Sequence, residues 1–265
     1  MKRMPAAFVT DFGPFPAVEA DDYTAALGEL GKGLPRPAAI IAMSGHWEAG
    51  EALAVTAAEK PGVMHDYSGF PEEYYRLDYP CPGAPALAAE VAGMLVLGGF
   101  AAKTDVDRPI DHGVWVPLSR LYPQADIPVV QLSVPVGMDP RRIFELGRVL
   151  APLRDRGILL LAAGALSHNL RRLKAKDSVP DAWAVAFDAW LAEVFERGDV
   201  EALFDYRTSA PSAELAVPTT EHFDPLFFIL GSAEGERPEH LYRAIRFGTG
   251  LLRIFVLGMD QGGSQ

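Results

Sequence analysis

Three stretches of this chain run apolar without a period of two: residues 38–43 (AAIIAM), 127–134 (IPVVQLSV) and 158–163 (ILLLAA). A strand with one wet face alternates apolar and polar side chains, so unbroken runs of this length read as strands covered on both sides. Further runs of strand length lie at 6–10, 53–57 and 251–257. Helical patterns fall between them. One opens at 21–27 with Asp21 and Asp22 in its first turn, and a second covers 85–97 with Pro85 in the permitted first position. Others cover 114–122, 140–155 and 182–197. Strands alternating with helices predict an α/β fold, a mostly parallel or mixed central sheet with helices on both faces. The stretch 242–257 reads as paired strands around Gly248 and Gly250, which would make the sheet mixed. No linker interrupts the pattern, so residues 1–265 are expected to form a single domain.

Bulk properties narrow the function classes. The formal net charge is −11, with no cluster of Lys and Arg, which argues against nucleic acid and anionic membrane as partners. Cys81 is the single cysteine, so neither an intrachain disulfide nor a thiolate zinc site can be built, in keeping with a reducing, cytoplasmic setting. No apolar run approaches the length of a membrane span or of a signal-peptide core. Segments 58–83 and 204–224 are rich in Pro, Gly, Ser and aromatics, and loops that long in a compact domain usually carry function.

The candidate chemistry lies in histidines and one aspartate. His46 and His168 each stand just past a buried strand, and Asp11 has the same relation to the first strand. In open α/β sheets the ligand crevice lies beyond the carboxyl ends of the strands, so parallel neighbours would bring the three to one edge. His112 lies in a Gly-containing turn before a helix, and His222 at the mouth of an apolar helix. Taken alone, Asp11 followed by Phe12-Gly13-Pro14 is an ordinary turn residue. Two imidazoles and a carboxylate are also a good ligand set for divalent iron, cobalt, manganese or zinc, with positions left open opposite. A further His beside such a centre could act as base, since an unperturbed imidazole titrates at about 6.5. Ser-His-Asp hydrolysis lacks its nucleophile elbow, because G-x-S-x-G is absent, and the glycine-rich nucleotide motifs are absent too.

Several blocks, in order, resemble one family: P-R-P-A-A-I-I-A-M-S-G-H-W at 35–47, H-D-Y-S-G-F-P at 65–71, Y-P-C-P-G-A-P-A-L-A at 79–88 and D-H-G-V-W at 111–115. Y-P-Q-A-D-I-P-V-V-Q-L-S at 122–133, S-H-N-L-R at 167–171 and T-T-E-H-F-D-P-L at 219–226 continue the series. The chain resembles the class III extradiol ring-cleavage dioxygenases of the LigB superfamily, DOPA-dioxygenase type. That resemblance implies a mononuclear non-haem Fe(II), for which zinc can substitute, a catechol-type substrate and O2. Carried over position by position, it implies metal ligands at Asp11, His46 and His222, a general base at His168, and substrate binding or proton delivery by His112. The DOPA-type relatives carry His at the first-strand end in a G-H-G-S-P-like turn, where this chain has Thr10-Asp11-Phe12-Gly13-Pro14. The carboxylate would then have moved to the first strand, while His222 stands where the protocatechuate-type branch has Glu. A degenerate member with an altered or lost metal site, acting as a small-molecule binder or accessory protein, is the competing expectation.

Supporting residues carry paired expectations. Tyr67, Phe70 and Tyr75 either pack their loop down or form a dry lid. Trp47 and Trp115 are expected as walls around the centre, and Asp111 either orients His112 or caps the following helix. His240 is expected as a solvated loop residue and His65, beside Asp66, in a loop that covers the site; Arg171 either receives a substrate carboxylate or, as the favoured reading, sits in a surface ion pair, and Cys81 is expected without a role. Leu226-Phe227-Phe228 is a candidate interface patch. Neither the oligomeric state nor the particular catechol is legible.

Overall fold

The computed structural model describes residues 2–259, so residues 1 and 260–265 of the expected 1–265 domain lie outside the described residues. Eight strands form one mixed sheet: β1 (Ala6–Thr10), β2 (Ala39–Ala49), β3 (Leu53–Thr56), β4 (Ala102–Asp105), β5 (Val129–Pro135), β6 (Ile158–Gly164), β7 (Pro238–Arg246) and β8 (Gly250–Leu257). Their order across the sheet is β4-β3-β5-β2-β6-β1-β8-β7. The four central strands β5, β2, β6 and β1 are parallel neighbours. β8 runs antiparallel to β1, and the hairpin β7–β8 makes the sheet mixed, as the paired-strand pattern predicts. The short β4 has no apolar run, and nothing in its sequence, A-K-T-D, marks it as a strand.

β1, β5 and β6 are buried at every position, and β2 is buried up to Gly45, because helices cover both faces. The longer helices are α1 (Asp22–Gly33), α2 (Pro85–Leu97), α3 (His112–Leu121), α4 (Pro140–Leu150), α5 (Ala182–Arg197) and α6 (Pro225–Ser232). On one face Ala6 and Phe8 of β1 join a core with residues of α2, α4, α5 and α6; on the other Ala7 and Val9 pack with α1 and α3. Alternate residues of one strand thus feed two separate cores, which is why the run cannot alternate in polarity. The expected helix at 140–155 stops at Leu150 and continues as a 3₁₀ turn over Ala151–Arg156. Pro152 lacks the N–H needed to continue the α-helical ladder.

Two contacts secure the elements that carry the site. α4 and α6 approach until a Cβ on Gly231 would lie 1.9 Å from the Phe144 carbonyl oxygen, so glycine is required there. Between α5 and β8, the buried Arg253 donates through Nε to Asp188 Oδ1 at 3.0 Å, and Arg243 donates to Asp188 Oδ2 at 2.7 Å. The Leu226-Phe227-Phe228 segment is fully buried in α6 and forms core, so it offers no interface. An apolar helix wedged between a sheet and a second helix is hydrophobic all round for that reason. His240 lies in β7 rather than in a loop; it is exposed, with its ring against Phe195 and Phe255.

Candidate metal centre and cleft

Because β2, β6 and β1 are adjacent and parallel, their carboxyl ends deliver His46, His168 and Asp11 to one edge of the sheet. Asp11 follows β1 directly and its backbone N–H donates to the Gly164 carbonyl at 2.7 Å. Its two carboxylate oxygens have different partners. Oδ1 accepts from the Gly13 N–H at 3.2 Å, which is the turn role of an Asp, and Oδ2 lies 2.6 Å from His46 Nε2. His46 is in β2 itself rather than beyond it, because the register shift between Met43 and Glu48 lets the strand run on past its regular pairing. Such an irregularity re-aims a side chain. His222 arrives from the loop before α6, fixed by its carbonyl accepting from the Ala165 N–H at 2.8 Å. The approach is close: a Cβ on Gly113 would fall 2.3 Å from Ser44 Oγ and 3.0 Å from Asp11 Oδ2. Only glycine lets the start of α3 come this near.

Asp11 Oδ2, His46 Nε2 and His222 Nε2 converge, with 3.2 Å between the two imidazole nitrogens and 3.9 Å from His222 Nε2 to Asp11 Oδ2. The outer nitrogens face carboxylates: His222 Nδ1 is 3.1 Å from Glu221 Oε1, and His46 Nδ1 is 3.2 Å from Asp66 Oδ2. With a metal bound, carboxylates at Nδ1 would hold the protons there and leave both Nε2 lone pairs facing inward. Three lone-pair donors pointing at one place suit a cation, and two imidazoles with one carboxylate fit a divalent transition metal. The local field agrees. Burial pushes the His46 imidazole down, but Asp11 and Asp66 outweigh it and hold it up at about 11. Burial likewise raises Asp11, and the surrounding histidines, His46 foremost, overcome it and hold the carboxyl well below its usual range. A place that so favours positive charge favours a metal ion for the same reason.

His168 stacks on the His222 ring, centroids 3.6 Å apart, and its backbone N–H is held by the Ala216 carbonyl at 2.9 Å. Burial and then the His222 imidazole push it down to about 4, so its ring is neutral at physiological pH. His112 is the first residue of α3, and its ring lies 4.0 Å from that of His46, between centroids. Its Nδ1 donates to Asp66 Oδ1 at 2.9 Å, and its Nε2 is 3.8 Å from Asp11 Oδ1. All five expected site residues are therefore brought together.

Two neighbours were not singled out from sequence. Asp66 takes both His112 N–H groups and faces His46; Glu221 faces His222 and also lies 3.8 Å from His168 Nδ1. The only signal was adjacency, since Asp66 follows His65 and Glu221 precedes His222. Asp66, not Asp111, orients His112: Asp111 is buried, and its carboxylate accepts from Gln131. His65 donates to the Leu77 carbonyl at 2.9 Å and packs against Trp115.

The centre opens into a cleft of about 380 Å³. Tyr67 and Phe70 from the 58–83 loop line it, as do Phe12 and Phe15 from the turn after Asp11. Tyr75 is 5.3 Å from the Tyr67 ring and outside the lining, so the loop's rings both pack and cover. Trp47 and Trp115 are not in the lining. Trp47 lies under the Arg108 guanidinium, and the Trp115 Nε1–H donates to the Met64 carbonyl, so each stabilises a neighbouring segment instead. Arg171 is exposed and outside the lining.

Comparison with known proteins gives this geometry its relatives. The sequence pattern described as "Catalytic LigB subunit of aromatic ring-opening dioxygenase" matches residues 18–249. A protein named 4,5-DOPA dioxygenase extradiol from Escherichia coli K12 is 40% identical over 243 residues, 89% of this chain and 88% of that one. One of the same name from Portulaca grandiflora is 39% identical over 223 residues, 81% and 80% of the two chains. The crystal structure of an uncharacterized Escherichia coli K12 protein superposes with a TM-score of 0.82 at 36% identity, covering 96% of this chain and 99% of that one.

Proposed function

The chain belongs to the LigB family of extradiol aromatic ring-opening dioxygenases, DOPA type, and from that premise we propose that it opens a catechol-type ring with O2 at an Fe(II) held by Asp11, His46 and His222. The observation that carries the reading is the convergence of those three donor atoms, with Asp11, His46 and two further imidazoles, His112 and His168, in the lining of an aromatic-walled cleft. When bound, the metal would supply a Lewis acid for the diol and a meeting point for it and O2. Zinc would fit the same donors. The residues of the chain do the rest. One Asp leaves a divalent ion with a net positive charge, which suits an anionic catecholate. His168, neutral, accepts a proton from a catechol hydroxyl at Nε2, the nitrogen remote from Glu221. His112, its Nδ1–H tied to Asp66, presents Nε2 towards the reacting oxygens for binding or proton delivery. Tyr67, Phe70, Phe12 and Phe15 exclude water from the ring.

No helix among the described residues is long and apolar enough to cross a membrane. The acidic charge and the aromatic cleft support a small-molecule partner, without nucleic acid or membrane, and the single cysteine is in keeping with cytoplasmic residence.

The test is His168→Ala, loaded with Fe(II) and given a catechol in air. Turnover, read as the yellow ring-opened semialdehyde, is expected to fall at least ~100-fold with metal content unchanged, in the range of a lost general base. Retained turnover with full metal content would remove His168 as the base.

A further inference from the structure

The rim of the cleft carries one cation that neither the fold nor the ring-opening chemistry uses, and the inference drawn from it rests on the ring-opening reading above. No Lys or Arg side chain is in the lining among the described residues, and the carboxylates there are matched. Asp11 faces His46 at 2.6 Å, and Asp66 faces His46 at 3.2 Å and His112 at 2.9 Å. Most cations that adjoin the lining are engaged as well. Lys176 is 2.7 Å from Glu19, and Arg246 is 2.7 Å from Asp21 and also bonds Asp22. Lys174 pairs with Asp181 and, with Arg172 after it, holds that carboxyl below its usual range.

Arg171 is different. Leu170–Arg172 form a 3₁₀ turn, in which residues three apart share a face. Leu170 and Leu173 both line the cleft, yet Leu170 is 64% exposed, which puts this turn at the open rim. Arg171 stands beside that face, exposed, and its guanidinium makes no hydrogen bond and no ion pair among the described residues. The surface ion pair expected for it is not formed, although a net charge of −11 offers acidic partners widely. The turn itself is held in place: the His168 N–H donates to the Ala216 carbonyl and Asn169 Nδ2 to the Leu215 carbonyl, each at 2.9 Å. Ser167, in the lining and in the same block, has a buried hydroxyl without a partner, a second unspent hydrogen-bonding group. A free guanidinium on a fixed turn beside an apolar rim suits a carboxylate, which it can take bidentately. We propose that Arg171 sets the specificity of this cleft by receiving a carboxylate on the ring substituent of a catechol whose diol faces the metal centre.

The test is anaerobic calorimetry of the Fe(II)-loaded protein with 3-(3,4-dihydroxyphenyl)propanoate and with 4-propylcatechol, which have equal chain lengths ending in carboxylate or methyl. An exposed ion pair is worth little and a bidentate charge-assisted one more, so Arg171→Gln is expected to weaken the propanoate about tenfold. Binding of 4-propylcatechol should stay within about twofold, which also shows that the variant's cleft is intact. Arg171→Lys, which keeps the charge and loses the fork, should recover part of the difference. Arg172→Gln should leave both ligands within about twofold. Equal weakening of both ligands in Arg171→Gln, no weakening of the propanoate, no binding of the propanoate to wild type, or a selective loss in Arg172→Gln instead would overturn the proposal. Aerobic ring opening of unsubstituted catechol separates this from the underlying reading. Selective loss in Arg171→Gln without ring opening removes the dioxygenase reading and leaves the Arg171 assignment standing; ring opening without selective loss does the reverse.

Discussion

Replacing Asp11 by Asn tests whether its carboxylate holds a metal or only a turn. The substitution keeps the side-chain shape and keeps an oxygen for the Gly13 N–H, so the turn survives. What it removes is one negative charge from a set of donor atoms 2.6 to 3.9 Å apart. A cation held by that set lies within about 4 Å of the carboxylate, where unit charges at an effective dielectric near 20 interact by ~4 kcal/mol. That corresponds to about a thousandfold in Kd for each unit of charge on the cation, before the hydration lost by the ion and the carboxylate is set against it. An amide oxygen remains a neutral ligand, which brings the expected loss nearer a hundredfold. The assay is anaerobic Fe(II) calorimetry on wild type and Asp11→Asn, with thermal melts of the apoproteins to establish that both fold. An affinity within threefold of wild type, in a variant that melts normally, would refute the assignment and leave Asp11 as a turn residue.

Asp66→Asn should cost ~10–100-fold in metal affinity or turnover, as loss of a carboxylate behind metal-site histidines commonly does; unchanged values in both would sever it from the site. Asp188→Ala leaves the buried Arg253 without its counter-ion and should destabilise the fold by about 3–5 kcal/mol, read from urea unfolding; a loss under ~1 kcal/mol would contradict that. Burial pushes the Cys81 thiol up to about 11, so it stays protonated at pH 8 and should react with a disulfide reagent only after denaturation. Rapid labelling of the native protein would show that the 79–88 segment opens.

Some of this was open to a reader of the chain. Unbroken apolar runs can persist only where both faces of a strand are covered, so 38–43, 127–134 and 158–163 announced a central sheet between two helical layers. Placement just past such runs singled out Asp11, His46 and His168, because side chains at the carboxyl ends of parallel neighbours share an edge. The motif blocks added His112 and His222. Residues whose role depends on contacts between distant segments were beyond reach. Asp66 sits in a loop with no periodicity, and only the fold carries it 46 residues ahead to His112. Asp111 adjoins His112 in sequence, yet the start of α3 turns its carboxylate towards Gln131.

Sequence by itself determined the layer architecture and the chemical types available at one sheet edge, since burial pattern and residue identity are local properties of the chain. The strand order, the 2.6 Å approach of Asp11 to His46, and the absence of Lys and Arg from the cleft lining among the described residues were decided by tertiary structure. Each of these depends on which distant segments close against one another, and that is set by packing of the whole core and not by any single stretch.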